Sequence, residues 1–371
     1  MNNSYVKRYN PNSFNALDAA IAFLSLLLLF LVVDEVITRV AISVRDRVEN
    51  FDYYLFLCIS SILIQGVIFA VAFVFCKIRH VSVFDGGGFV YKFDFVKILF
   101  AIILTSGIFF IVSHAHFTFV EDVFEIVYGR SYADYTAELD RIYKGDDFYA
   151  LIYIYVLTPL LPCVCEEIMF RGVVMRGLRQ FGVTASVILS SLCFTFMHGN
   201  VEQIVLQFAI GLAIGAVVTV TDNFLIGAAM HFANNFFNSL YSVTQNFTGF
   251  IAEGGDILFE SIYIVIGVVF TIIGGYYFLR LALNKREKMI KGTPTEIAFK
   301  DRNYYALIRR DGELQQKLYP AQVDYSLICD GTFYFDNNGI ERRVNKRSND
   351  VLSIILIAFS LVLSVVIIFI V

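Results

Sequence analysis

Residues 351–371 read VLSIILIAFSLVLSVVIIFIV, a run without a single charged side chain. A helix needs roughly 20 apolar residues to cross ~30 Å of hydrocarbon, so this stretch is long enough to span a bilayer. The pattern recurs upstream. Apolar blocks stand near 16–33, 54–76, 95–115, 149–178, 183–200, 203–222, 224–245 and 257–283. The expected fold class is all-α, a polytopic membrane helical bundle of about nine spans. Composition points the same way. The 371 residues are 57% hydrophobic and only 17% charged, with a mean hydropathy of +0.67. Soluble domains average about 25% charged residues. That difference excludes a soluble enzyme and a disordered chain. Six Cys in this length make no disulfide framework. A net charge of -4 supplies no basic field, so nucleic acid is not an expected partner. Trp is absent, which leaves the 21 Tyr to serve as interfacial aromatics.

Positive charge orients the bundle. The first block follows Lys7 and Arg8, lacks a small-residue cleavage site, and reads as a retained anchor. With the N-terminus cytoplasmic, Lys77, Arg79, Lys92, Arg176, Arg179, Lys285, Arg286, Lys288 and Lys291 all fall inside. The organisation expected is N-terminal spans over 1–148, a membrane core over 149–245 and a further span over 246–283. A soluble cytosolic module over 284–350 and a C-terminal span over 351–371 complete it. The module is expected to be small and β-rich. Its β-like runs are Tyr304–Ile308, Tyr325–Ile328 and Thr332–Phe335, with turn signals at Asp311-Gly312, Asp330-Gly331 and Asn338-Gly339. By count, 13 Lys and Arg stand against 9 Asp and Glu there before Asp350. A partner or anionic lipid is the expected contact of that basic face.

Ionisable residues inside a span are costly, so each needs a reason. They cluster in three segments: Glu166-Glu167 with Arg171, Phe194 with His198, and His231 with Asn235. Glu167 and Arg171 are four apart and share a helix face, with the acid N-terminal to the base as ion pairs prefer. Glu166 is rotated ~100° from Glu167 at 3.6 residues per turn. One carboxylate is thus expected to be tied and the other free. His231 and Asn235 also share a face. The free carboxylate, both His and the amide can meet in one pocket. Pro159 and Pro162 are expected to kink or start the helix ahead of the acids. His80, His114, His116, Asn234, Cys163 and Cys165 read as structural.

The three segments resemble the CAAX protease and bacteriocin-processing (CPBP, or Abi) family of intramembrane endopeptidases. Its pattern is EExxxR, then FxxxH, then HxxxN, and all three stand here within about 150–245, with Gly172 matching a common extension. The resemblance implies that Glu166 and His198 activate a water, that His231 and Asn235 stabilise the oxyanion, and that Glu167 and Arg171 hold the geometry. The chemistry is coherent without the family. Peptide hydrolysis needs a base, an electrophilic clamp and a confined water. No Ser or Cys stands with a base of its own to suggest a covalent route. No cofactor is assigned. Glu166, His198 and His231 form an alternative zinc set, although the adjacent HExxH arrangement is missing. The function expected is an intramembrane endopeptidase acting on membrane-associated protein or peptide substrates, in a bacterial plasma membrane. The rivals are a non-catalytic scaffold or bacteriocin-immunity type protein, and a proton-coupled transporter.

Overall fold

The computed structural model describes residues 14–45, 52–80, 83, 92–129, 131, 148–199, 201–248, 256–290, 333–335, 341–343 and 350–370. Three long helices open the chain: α1 (Ala16–Arg45), α2 (Tyr53–Ile78) and α3 (Phe95–Tyr128). Their N-termini are capped by side chains that satisfy otherwise orphaned N–H groups. Asp52 accepts from the Leu55 N–H at 2.9 Å and Asp94 from the Lys97 N–H at 3.2 Å. At α1, Asn15 and Asp18 cap each other reciprocally, at 2.8 and 3.0 Å. Asp18 also receives Arg79 through two guanidinium nitrogens at 2.7 and 2.8 Å, which pins the start of α1 to the end of α2.

The next helix, α4 (Phe148–Leu178), carries two widened π turns, Tyr153–Leu157 and Ile168–Val174. The first lies just before Thr158-Pro159. Both the N–H and the hydroxyl of Thr158 reach the Tyr153 carbonyl. Proline lacks a donor and its ring crowds the carbonyl four residues back, so a wider turn ahead of it relieves the clash. The helix therefore continues through Pro159 and Pro162 instead of starting there. Four further helices follow: α5 (Val183–Met197), α6 (Ile204–Thr221), α7 (Phe224–Thr248) and α8 (Asp256–Ile290). The turn between α6 and α7 is tied by Asn223. Its Nδ2 donates to the Lys92 carbonyl at 2.6 Å and its Oδ1 accepts from the Leu225 N–H at 3.0 Å. The last helix, α9 (Asp350–Ile370), packs on α1.

Two apolar clusters fill the bundle. One joins α1, α2, α4 and α5 around Phe23, Ile68, Phe170 and Phe194, with Ile357 of α9. The other joins α3, α6, α7 and α8 around Phe109, Ile210, Ile214 and Met230. Met175 belongs to the second cluster and Ile168–Val174 to the first, so α4 is the wall between them. Helices α3 and α8 approach closely through small residues, as membrane helices do. A Cβ on Gly107 would lie 2.5 Å from the Thr271 nitrogen.

Two expectations are corrected. About nine spans are reduced to seven helices that are long and apolar enough to cross a membrane, among the described residues. Helix α5 has only 15 residues, and α7 carries His231, Asn234, Asn235 and Asn238 along a short stretch. Helix α5 packs on α6, and α7 packs on α3 and α4. The β-rich module is not found either. Within 284–350 the described residues are the end of α8, the first residue of α9 and one antiparallel ribbon of two three-residue strands, β1 (Phe333–Phe335) and β2 (Glu341–Arg343). A lone ribbon of that size is at best marginal and makes no β domain. The runs at 304–308 and 325–328 lie outside the described residues.

Candidate active site

The two adjacent carboxylates of α4 have different surroundings. Glu167 is 1% exposed. Its Oε1 lies 2.9 Å from Arg171 Nη1 and 2.9 Å from His231 Nδ1. A carboxylate only accepts, so Nδ1 of His231 carries the proton of that bond. Arg171 is equally buried. Its Nη2 donates to the Gly211 carbonyl of α6 at 3.3 Å, and its guanidinium stacks over the Phe194 ring, 4.7 Å from the centroid. Such burial of charge is tolerable only because the charges are paired. Glu167, Arg171 and His231 thus tie α4, α6 and α7 into one unit.

Glu166 faces elsewhere. Its Oε1 accepts from Gln65 Nε2 of α2 at 2.8 Å. Its Oε2 has no hydrogen-bond partner and lies 3.7 Å from His231 Nε2, too far for a hydrogen bond. Glu166 lines a cavity of about 400 Å³ together with His198, Gln65, Ser60, Tyr153 and Met197. Apolar side chains of α1 and α2, Phe30 and Phe56 among them, make up much of its wall. His198 caps the C-terminus of α5. Its Nδ1 lies 2.9 Å from the Phe194 carbonyl, so that nitrogen is the donor and Nε2 keeps its lone pair.

Phe194 gives the FxxxH segment a physical meaning. Its ring meets Phe170, His198 and His231 edge to face, at centroid distances of 5.4, 5.1 and 5.5 Å. It is fully buried and fixes the orientation of both imidazoles.

The structure therefore brings Glu166 and His198 to one cavity and sets His231 behind Glu166, against Glu167. Asn235 is not in that cavity wall. Its Nδ2 donates to the Thr158 carbonyl at 3.4 Å, and its Oδ1 accepts from Asn234 at 3.1 Å. Asn234, read as structural, is 1% exposed and belongs to the same chain of amides. Gln65 escapes the motif reading entirely. An amide inside the apolar run of α2 is the signal that marks it, because a polar side chain there needs a partner. Among the described residues no three His, Cys, Asp or Glu side chains converge as a metal site would require.

Residues 148–237 match a family model described as Type II CAAX prenyl endopeptidase, Rce1-like. The match runs from the start of α4 into α7 and holds every residue of the three motifs. Over these residues the chain is similar to the membrane proteases of the CAAX protease (CPBP) family. With seven apolar helices of spanning length among the described residues it is an integral multi-pass membrane protein. Helices α1, α2, α3, α8 and α9 lie outside the matched segment. No curated protein and no solved structure matches the chain.

Proposed function

We propose that the protein is an intramembrane endopeptidase in which Glu166 is the general base. The observation that carries this reading is the contrast within one dipeptide: each acid has an Oε2 without a hydrogen-bond partner, but Glu167 is held by Arg171 and His231 away from the cavity, while Glu166 lines the cavity together with His198. A water bound there donates one proton to Glu166 Oε2 and the other to His198 Nε2. Its oxygen forms the new bond to the peptide carbonyl carbon as the proton passes to Glu166, and the carbonyl electron pair moves onto oxygen. The C–N bond then breaks and Glu166 returns the proton to the leaving amine. His231, whose Nε2 must carry a second proton because its Nδ1–H is engaged by Glu167, and Asn235 are the candidates to stabilise the oxyanion. Asn235 must release the Thr158 carbonyl to do so. Glu167 and Arg171 hold the arrangement.

The reaction needs no metal in this reading; the alternative would hold zinc on Glu166, His198 and His231. The substrate is a membrane-bound peptide or protein, in a bacterial plasma membrane with the N-terminus cytoplasmic. Residues 284–350 meet anionic lipid or a partner. The test uses the full chain in proteoliposomes and a panel of internally quenched peptides, with and without a prenylated CAAX terminus. Cleavage by the wild type and none by Glu166→Gln, at unchanged thermal midpoint, is the expected result. Equal cleavage by both rejects the proposal. Loss of activity on chelation, with stoichiometric zinc in the untreated protein, rejects the metal-free mechanism.

A further inference from the structure

Gln65 belongs to α2, outside the matched segment, and its partner in the site is 101 residues away in sequence. It is 7% exposed, its side chain lines the cavity, and its two ends differ. Nε2 donates to Glu166 Oε1, and the carboxylate, which only accepts, fixes which end is the nitrogen. Oε1 is buried and has no hydrogen-bond partner. An unsatisfied buried acceptor is unfavourable, and a donor from a bound ligand or water relieves it. A peptide entering this cavity brings such donors. Each of its backbone N–H groups loses water in the apolar enclosure and must find an acceptor. The surrounding wall of α1 and α2 offers mostly hydrocarbon.

We infer that Gln65 is a two-ended positioning residue: its N–H orients the Glu166 base, and its Oε1 accepts a backbone N–H of the bound peptide. This rests on the protease reading above and adds the feature of the substrate that sets register. The scissile carbonyl is placed by a main-chain contact made from a helix outside the matched domain. Recognition is then of an extended backbone, whatever side chains flank the bond.

The experiment pairs a protein change with a substrate change. The cleaved quenched peptide is prepared with each amide N-methylated in turn, and kcat and KM are measured for the wild type and for Gln65→Met, which keeps the side-chain length without either polar end. In the wild type, N-methylation at one position near the scissile bond should raise KM about tenfold, the scale of a lost buried hydrogen bond. In Gln65→Met that same methylation should cost nothing further. On the unmodified peptide, Gln65→Met should also lower kcat by about ten- to a hundredfold through misplacement of Glu166. Thermal midpoints and a second variant, Gln65→Leu, separate these effects from misfolding. Full kcat in both variants, or a methylation penalty that persists in them, overturns the assignment while leaving Glu166 as base. Cleavage by Glu166→Gln at the wild-type rate overturns the protease reading instead, and the role of Gln65 with it.

Discussion

Glu166 and Glu167 are neighbours in sequence yet sit in opposite kinds of environment. Behind α4, Glu167, Arg171 and His231 form a fully buried ion-paired knot between helices, in which Glu167 Oε1 meets both partners while Glu167 Oε2 has no hydrogen-bond partner. In front of it, Glu166, His198 and Gln65 line a cavity and retain an unpaired carboxylate oxygen and an unpaired amide oxygen. The rotation of ~100° between successive helical residues is enough to divide structure from chemistry within one dipeptide. A paired buried charge holds helices together. A half-satisfied one at a cavity is available to react.

The sharpest way to break this contrast is to neutralise each carboxylate in turn. Glu166→Gln should reduce the cleavage rate by roughly 10²–10⁴-fold, the range of a general base, with little change in thermal midpoint. Arg171→Met should do the reverse. It leaves Glu167 buried without its cation and should cost about 3–5 kcal/mol of stability, read as a large fall in midpoint in detergent. If Arg171→Met folds normally and only slows catalysis, the knot is part of the chemistry and the division fails. Phe194→Ala removes the ring that seats Arg171 and both imidazoles. It should cost about 3–5 kcal/mol by packing loss and impair cleavage as well, so it marks the seam between the two regions. Asn235→Ala is the finest probe. If its amide only joins α7 to the Thr158 carbonyl, stability should fall by about 1 kcal/mol and the rate should barely change. A rate loss near 10²-fold or more at unchanged stability would show that the amide swings to the oxyanion.

Much of this was legible in the sequence. The seven apolar runs of spanning length are visible because hydrocarbon solvent imposes a length on each. Helices α5 and α7 are different. Their length and polarity are set by neighbouring helices, which no local rule reports, so a hydropathy reading counts them as spans. The Glu167–Arg171 pair follows from i,i+4 spacing alone. Its third member, His231, shows only that it shares a face with Asn235, and the bond to Glu167 needs the tertiary fold. The same holds for Gln65 and for the carbonyl that orients His198. Of the two outcomes expected at Pro159 and Pro162, a helix start is not what the structure shows, since a widened turn absorbs what proline forbids.

The two π turns of α4 carry a consequence for how its sequence can vary. A π turn holds about one residue more than an α turn over the same rise. Deleting one residue within Ile168–Val174 would therefore let that turn close to ordinary α geometry, with the helix beyond it keeping nearly its present length and phase. The change would fall on the residues inside the turn, Arg171 and Gly172 among them, which would shift from the faces they now present. Across variants of this chain, the length of that heptapeptide should be more constant than the identity of its apolar members, because the extra residue sets where Arg171 points.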